Sequence, residues 1–325
     1  MIFFIGSITA MIVFGVFAAR FPIRFRAIAG GTSLLLGLGL MAFAPTFVLY
    51  CVGAALMGLG YGNLNVLFNS LFSKSYGDKT PQMMSLINGF WGIGAMLGPL
   101  LVRAVQPRFE QAFGALAVLT VLCGIASFLM PLADHEESVK DTTDVSAGVR
   151  FAFMAMFFMY VACETSSVQL ISSYGVSHLQ WDKAYAATIG SAFWLGLTVG
   201  RFVASALSKV VQVKHWVLVC ALGVTASTVL TFSGSTAAIG FGLFGLFCGP
   251  FFPNALSWFR FQLGASTASM SWTVVGASFG AAIGPALTQA QPGGIPAGNL
   301  GWCILFIVAT LATFAVVAKS APRIS

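Results

Sequence analysis

The chain carries too little charge for the surface of a water-soluble protein. Only 8% of its 325 residues are charged and only nine are acidic, while 58% are hydrophobic. A soluble domain has about 25% charged residues, and the mean hydropathy here is +0.91. These values exclude a soluble fold and predict an all-α polytopic membrane protein.

The sequence also lacks the motifs of enzymes and nucleotide-driven pumps. It contains no phosphate-binding loop, no cluster of metal ligands and no paired nucleophile and base. Its six cysteines lie inside apolar runs without CxxC spacing, and its three histidines fall in loops or at helix ends. We therefore expect no enzymatic activity, no cofactor and no metal site. No basic stripe with interleaved aromatics accompanies the net charge of +7, so no nucleic-acid partner is expected either.

What the sequence does contain is a succession of apolar segments long enough to cross a bilayer. A spanning helix needs about 20 mostly apolar residues. By that measure we predict eleven helices, at 2–19, 27–44, 46–72, 82–103, 111–131, 151–175, 185–207, 215–233, 236–259, 268–289 and 300–318.

One polar stretch divides these segments into two groups. Residues 132–150 contain five of the nine acidic side chains, namely Asp134, Glu136, Glu137, Asp141 and Asp144. A charge run of this kind is typical of a solvated segment. The predicted domains are an N-terminal bundle of five helices at 1–131, a cytoplasmic linker at 132–150 and a C-terminal bundle of six helices at 151–325.

The distribution of lysine and arginine predicts how the chain is oriented in the membrane, because cytoplasmic loops carry an excess of these residues. With the N-terminus outside, the residues on the cytoplasmic side are Arg20, Arg24, Arg26, Lys74, Lys79, Lys140, Arg150, Lys209, Lys214, Arg260, Lys319 and Arg323. Only Arg103, Arg108 and Lys183 fall outside, and Arg201 lies within a helix. We therefore predict that the C-terminus is cytoplasmic and that the protein lies in the cell inner membrane.

The two groups of helices carry a repeated pattern. The stretch GAMLGP at 94–99 recurs as GAAIGP at 280–285, an offset of 186 residues, and Asn69 recurs as Asn254 at an offset of 185. Two matches at nearly one offset indicate a parallel repeat, as in transporters built from two similar halves. In this register the first half lacks its first helix. We expect Met1 to be an internal start, with a spanning helix encoded upstream in the same frame.

The stretch GVFAARFPIR at 15–24 resembles the loop motif G-x-x-x-D-R-x-G-R/K of the major facilitator superfamily. Ala19 replaces the family's aspartate and Pro22 replaces its glycine, so the motif is degenerate. The resemblance covers essentially the whole chain minus one helix. It implies a fold of two pseudo-symmetric helix bundles, with Arg20 and Arg24 at the cytoplasmic gate.

Other stretches resemble the fucose/galactose/glucose permease branch of this superfamily. Tyr160, Glu164 and Tyr174 match the branch's helix seven, although Leu170 replaces its tryptophan. The stretches that resemble its helices five, eight and ten are NGFWG at 88–92, WLGLTVGR at 194–201 and GPFFPN at 249–254. The resemblance implies a monomeric secondary active transporter, a symporter that moves a small polar solute by alternating access, with a sugar favoured as substrate and a proton as the candidate coupling ion.

Two alternatives stay open at this point. Walls rich in phenylalanine and methionine would also accommodate efflux of amphipathic, drug-like compounds. A chain without its first helix is also compatible with a non-transporting remnant.

Glu164 is the single acidic residue inside a predicted membrane helix. Burying an ionised carboxylate there costs at least about 2.5 kcal/mol, so such residues usually face a polar cavity. We predict that Glu164 carries proton coupling or contacts the substrate. The alternative is a structural acid that hydrogen bonds neighbouring helices.

Arg201 is expected to act at the gate rather than to pair directly with Glu164. At about 1.5 Å per residue, Glu164 lies roughly 20 Å from the cytoplasmic end of its helix and Arg201 only about 9 Å from the end of its own. The difference is long for one arginine side chain. Arg201 is therefore predicted to bond carbonyl or loop groups.

Several polar and aromatic side chains are candidate substrate ligands. Amides on the membrane helices could bind a sugar or simply bond across helices, and aromatic rings could stack on a pyranose or serve only as packing. The nearest equivalent of an acid that the permease branch uses for coupling is Asn63, which cannot ionise. The predicted substrate-binding residues are Asn65, Asn69, Asn88, Trp91, Tyr160, Glu164, Gln169, Trp194 and Asn254.

Pairs of glycines at helical spacing predict close helix contacts, because small residues let two backbones approach. The predicted positions are Gly58, Gly60, Gly62, Gly94, Gly98, Gly196, Gly200, Gly280 and Gly284.

Overall fold

The computed structural model describes residues 2–17, 20–105, 108–129, 144–289 and 295–320, and the regular structure in these ranges is entirely helical. The α-helices are α1 Ile2–Ala10, α2 Ile23–Phe43, α3 Phe47–Ser75, α4 Thr80–Val105, α5 Phe109–Leu129, α6 Ala147–Ser177, α7 Lys183–Ala206, α8 Val213–Leu230, α9 Ala237–Cys248, α10 Phe251–Ser257, α11 Thr267–Gln289 and α12 Ile295–Ser320. Short π-helical segments at Met11–Val16 and Trp258–Gln262 continue α1 and α10.

Every predicted membrane segment coincides with helix, which confirms the all-α membrane class. Among the described residues, eight helical spans are long and apolar enough to cross a bilayer by length and composition. Two shorter apolar helices, Ile2–Val16 and Glu110–Ile125, accompany them.

The segment predicted at 236–259 contains a break that the apolar pattern does not reveal. α9 ends at Cys248 and α10 begins at Phe251. Pro250 and Pro253 have no N–H, so neither can donate to the carbonyl four residues earlier. The break follows from these two prolines.

Most of the predicted linker lies outside the described residues, including Asp134, Glu136, Glu137 and Asp141. The described part begins at Asp144. α6 starts at Ala147, within the stretch predicted as linker, because the Ser146 hydroxyl accepts a hydrogen bond from the Val149 N–H at 3.4 Å and caps the helix.

The chain forms two compact units. Unit 1 comprises 1–71, 97–144 and 266–275, and unit 2 comprises 72–96, 145–265 and 276–325. The division at 132–150 into two bundles stays a prediction.

In unit 1, glycines allow α3 to approach its neighbours closely. A Cβ at Gly58 would overlap the Phe3 carbonyl, and one at Gly62 would overlap the Ser7 carbonyl. A Cβ at Gly60 would lie 2.7 Å from the Gly30 carbonyl oxygen. These contacts confirm the prediction for α3.

In unit 2, α7 and α9 meet along four glycines, Gly196, Gly200, Gly245 and Gly249, which we call the glycine seam. A Cβ at any of the last three would overlap a backbone oxygen of the opposite helix. Gly280 and Gly284 likewise approach α6.

The prediction for Gly94 and Gly98 is wrong. No described atom lies within 4 Å of a Cβ placed at either position. The spacing of small residues indicates that another helix could pack closely at these positions, but it does not show that one does.

Candidate functional site

Tyr160 and Glu164 lie one turn apart on α6 and are both buried, with 1% and 8% of their surface exposed. The Tyr160 hydroxyl donates to the Cys248 carbonyl at the end of α9, at 3.0 Å, and its ring stacks on Phe251. The Glu164 carboxyl group therefore lies one helical turn from the bond that joins α6 to the end of α9.

The break between α9 and α10 supplies acceptors to this region. A helix would normally bond the Gly249 carbonyl to the N–H of residue 253, and Pro253 has none. Arg201 on α7 takes that place, with its Nε donating to the Gly249 oxygen at 3.2 Å. The glycine seam lets the arginine backbone come close enough for this bond.

Arg201 is 4% exposed and bonds in two further directions. Its Nη1 donates to the Asn88 carbonyl of α4 at 2.6 Å, and its guanidinium lies 5.0 Å above the Trp91 ring. Arg201 is thus bonded to backbone carbonyls of two different helices.

Two indoles form the aromatic part of this site. Trp91 on α4 and Trp194 on α7 meet edge to face, with ring centroids 5.7 Å apart, and Trp194 also meets Phe193 edge to face. Trp91 is 40% exposed, whereas Phe193 is fully buried. An accessible indole beside a guanidinium can stack on a ring ligand whose hydroxyls the guanidinium binds.

Further contacts hold the first half of α4 against α7. The Ser205 hydroxyl donates to the Gln82 carbonyl at 3.2 Å. A Cβ at Gly89 would lie 3.1 Å from the Phe202 ring, and one at Gly92 would crowd the Thr198 side chain. The Asn88 side-chain amide donates to the Met84 carbonyl within α4. The bond from Arg201 goes to the Asn88 backbone carbonyl instead.

The structure thus brings together six of the predicted residues, Asn88, Trp91, Tyr160, Glu164, Trp194 and Arg201, all of them in unit 2. Their roles in transport stay predictions.

Two other predicted ligands in unit 2 are differently placed. Gln169, further along α6, is exposed. Asn254 is completely buried: its Nδ2 donates to the Pro250 carbonyl at 2.7 Å, and its Oδ1 has no hydrogen-bond partner in the described part of the chain. A solute cannot reach Asn254 in this conformation.

The predicted ligands Asn65 and Asn69 lie in unit 1. The Asn69 amide donates to the Asn65 carbonyl at 2.9 Å, as their spacing of four residues predicts. Asn63 donates to the Arg26 carbonyl at 2.7 Å.

The predicted gate residues Arg20 and Arg24 are exposed on unit 1. The Arg20 guanidinium lies 5.1 Å above the Phe17 ring. The gate role of both stays a prediction.

Sequence reasoning missed the backbone carbonyls of the site. Cys248, Gly249 and Asn88 each contribute an oxygen, and none of these residues was selected for it. For Gly249 the available signal was Pro253, which cannot donate to the carbonyl four residues earlier. No comparable signal identifies the carbonyls of Cys248 and Asn88.

The site offers hydrogen-bonding, charged and stacking groups and is suited to reversible binding. Among the residues that the structure describes, no group of three potential metal ligands comes together.

A family model of the major facilitator superfamily matches residues 1–153. The chain is 22% identical over 307 residues to the mouse protein "Sodium-dependent glucose transporter 1A", a match covering 80% of this chain and 72% of the mouse protein. It is 21% identical to the human "Sodium-dependent glucose transporter 1", over 80% of this chain and 59% of that protein. The chain thus spans about three fifths of the human relative.

The fold is similar to the crystal structure of the transporter FucP in the outward conformation. The TM-score is 0.81 at 17% identity, over 97% of this chain and 88% of FucP. Another structure of FucP is titled as the E. coli fucose:proton symporter. Residues 1–153 therefore match the major facilitator superfamily, and the fold of the whole chain is similar to that of FucP.

Proposed function

We propose that the protein is a secondary active transporter that moves a sugar across the membrane by alternating access. The observation that carries this proposal is the cluster of a buried membrane carboxylate, a buried guanidinium and an accessible pair of indoles in unit 2. Glucose transporters and a fucose symporter among the similar proteins support a hexose as the substrate class.

In this proposal the two indoles bind the apolar face of the sugar ring and the polar groups bind its hydroxyls. Trp91 is the more accessible of the two rings. Glu164 accepts hydrogen bonds from sugar hydroxyls, and Arg201 donates to sugar oxygens while it stays anchored on the Gly249 carbonyl.

Glu164 also carries the coupling proton in this proposal. The only proton of the Tyr160 hydroxyl is donated to Cys248, so a protonated Glu164 can donate to the Tyr160 oxygen, whereas an ionised one cannot. Gain and loss of this proton would therefore change the bonds that fix α6 relative to the end of α9.

Arg201 serves as a gate residue between α4 and α7. Its bond to Asn88 and the bond from Ser205 to Gln82 are the contacts that must break when these helices separate. Both acceptors are backbone carbonyls, which favours reversible opening because no ion pair has to be broken.

The proposed orientation follows the positive charge, with the C-terminus on the cytoplasmic side of the inner membrane. The protein works as a monomer in this proposal.

The test is uptake of radiolabelled glucose, galactose and fucose by proteoliposomes that contain the purified protein. Imposed gradients of protons and of sodium are compared, and a labelled cationic dye serves as the efflux substrate. Uptake of at least one hexose, driven by the proton gradient, is expected. Movement of the dye without any hexose would overturn the assignment.

Replacing Glu164 by Gln keeps the shape and removes the titrating group. We expect uptake to lose its dependence on the proton gradient while equilibrium exchange of sugar continues. Retention of both the rate and the pH dependence would remove Glu164 from the mechanism, and loss of all sugar binding would assign it to substrate contact alone.

A further inference from the structure

A lateral groove lies in unit 2 between the end of α7, the start of α8 and the break between α9 and α10. Its walls include Val203, Trp216, Val219, Leu246, Phe247 and Pro250, and its volume is about 240 Å³. We call it the α7–α8 groove. An apolar cavity of about 150 Å³ holds a benzene molecule, so the α7–α8 groove can hold a longer apolar group.

The shape of the groove follows from local sequence. A side chain at position 200 would overlap the Leu246 carbonyl and crowd Pro250, so only glycine fits there. Trp216 and Val219 are three residues apart and therefore share a face of α8. The result is a concave surface, built from four backbone segments, in place of the ridge of side chains that packed helices usually present.

Two of the apolar side chains that line the groove are exposed. Val203 and Val219 on its rim are 40% and 42% exposed. Both belong to helices long and apolar enough to span the membrane. Exposed apolar side chains of a spanning helix contact lipid chains, so the groove is open to the bilayer.

The groove lies close to one end of the spanning helices. Trp216 is three residues from the start of α8 and Gly200 six residues from the end of α7, which places the groove within roughly 10 Å of that end. Tryptophan is enriched at this depth, where its ring is apolar and its N–H can reach polar groups. The Trp216 Nε1 is buried and has no hydrogen-bond partner among the residues that the structure describes.

Positive charge surrounds the same end. Lys209 is exposed in the α7–α8 turn and Lys214 is half-buried in the first turn of α8. Neither makes an ion pair among the described residues. The N-terminus of α8 has no side-chain cap, so its positive dipole end is available to an anion.

We propose that the α7–α8 groove binds an anionic phospholipid. One acyl chain occupies the groove, the Trp216 N–H donates to an ester oxygen, and the phosphate lies between the two lysines and the α8 N-terminus. The headgroup end faces the cytoplasm in the proposed orientation, where anionic lipids are concentrated. This site is separate from the sugar site, and its test does not depend on transport.

The first experiment measures lipid binding by native mass spectrometry of the purified protein with phosphatidylglycerol, phosphatidylcholine or glycerol phosphate. We expect phosphatidylglycerol to bind most tightly and glycerol phosphate, which has no acyl chain, not to be retained. Val219→Trp fills the groove and should abolish retention of phosphatidylglycerol. Val229→Trp, at an exposed position further along α8, is the matched control and should keep it.

The charge contribution is tested with Lys209→Gln and Lys214→Gln. Each lysine near an anionic lipid contributes a factor of about 5 in affinity, so the double variant should bind phosphatidylglycerol and phosphatidylcholine nearly equally. Lys79→Gln, an exposed lysine of another loop, should leave the preference unchanged. Equal effects of the double variant and this control would overturn the assignment of an anionic headgroup.

A second measurement uses the unmodified protein, so that it does not depend on the folding of a variant. Phosphatidylglycerol with a photoreactive diazirine on one acyl chain is bound and irradiated, and the labelled peptides are identified. Label on Val203, Val219 or Phe247 supports the site. Label only on peptides outside α7 to α10 would overturn it.

Discussion

Arg201 donates through Nε to the Gly249 carbonyl at 3.2 Å, and that oxygen is available because Pro253, four residues later, has no N–H. The carbonyl left without a helical donor at the α9–α10 break and the buried guanidinium on α7 thus satisfy each other's hydrogen-bonding capacity. The guanidinium loses water but gains carbonyl partners, and the freed carbonyl gains a donor.

Replacing Pro253 by Ala restores the missing donor and should weaken this link. We expect the introduced N–H to bond the Gly249 carbonyl, the helix to become more regular, and hexose uptake to fall several-fold. The free energy of unfolding should fall by about 1 kcal/mol, because a neutral amide hydrogen bond replaces a stronger one to a charged group. Hydrogen exchange should find the new amide protected.

Pro45→Ala, in the exposed turn between α2 and α3, is the control for a general effect of losing a proline. An unchanged uptake rate in Pro253→Ala would show that the defect has no part in transport.

Arg201→Lys keeps the charge and removes the planar fork, which should cost about 2 kcal/mol of stability because a hydrogen bond to a charged group is lost. A chemical denaturation curve in detergent measures this loss. Arg108→Lys, at an exposed position, should leave stability within about 0.5 kcal/mol of the parent. Equal stability of the two variants would contradict the anchoring role.

Trp91→Leu should raise the KM for hexose uptake about 3- to 10-fold and leave the maximal rate less affected, since an aromatic contact contributes about 0.5–1.5 kcal/mol. Phe90→Leu changes the neighbouring ring, which is 62% exposed, and should leave the KM unchanged. If both variants behave alike, the indole pair does not bind the sugar.

The glycine seam gives a steric prediction. Gly245→Ala would drive a methyl group into the Phe193 carbonyl and should destabilise the protein by about 1–3 kcal/mol. Gly242 lies three residues earlier on α9 with open space around it, so Gly242→Ala should be neutral or slightly stabilising. Thermal unfolding of the two variants makes the comparison, and equal melting temperatures would contradict a tight seam.

Asp144 ties the end of the linker to the start of α11 within unit 1. Its carboxylate accepts from the Ser266 N–H at 3.1 Å and from the Ser269 hydroxyl at 2.8 Å, so it acts as a charged cap. Asp144→Ala should cost about 1–2 kcal/mol, measured by chemical denaturation. Asp78→Ala, at an exposed position, is the control. An equal loss of stability in this variant would contradict the capping role of Asp144.

The helices were predictable because long apolar runs have few alternatives inside a membrane. The contact between Asn65 and Asn69 was predictable for a related reason, since spacing along one helix determines which side chains meet.

Partners on other helices were harder to predict. The depth argument indicated carbonyl partners for Arg201, but it could not identify Gly249 and Asn88, because that requires knowing which helices are adjacent. The prediction of close helix contacts at Gly94 and Gly98 was wrong for the same reason. A pattern on one helix describes what that helix allows, and the neighbour decides whether the contact forms.

The glycine seam has a consequence for how this protein can change over generations. Every amino-acid substitution of a glycine adds a side chain, and at Gly200, Gly245 and Gly249 there is no room for one. A library of random variants selected for growth on the transported sugar should therefore lose substitutions at these codons while accepting them at Gly242. The two helices can then diverge only on their outer faces, so that lineages of this protein would differ in what surrounds the seam and keep the seam itself.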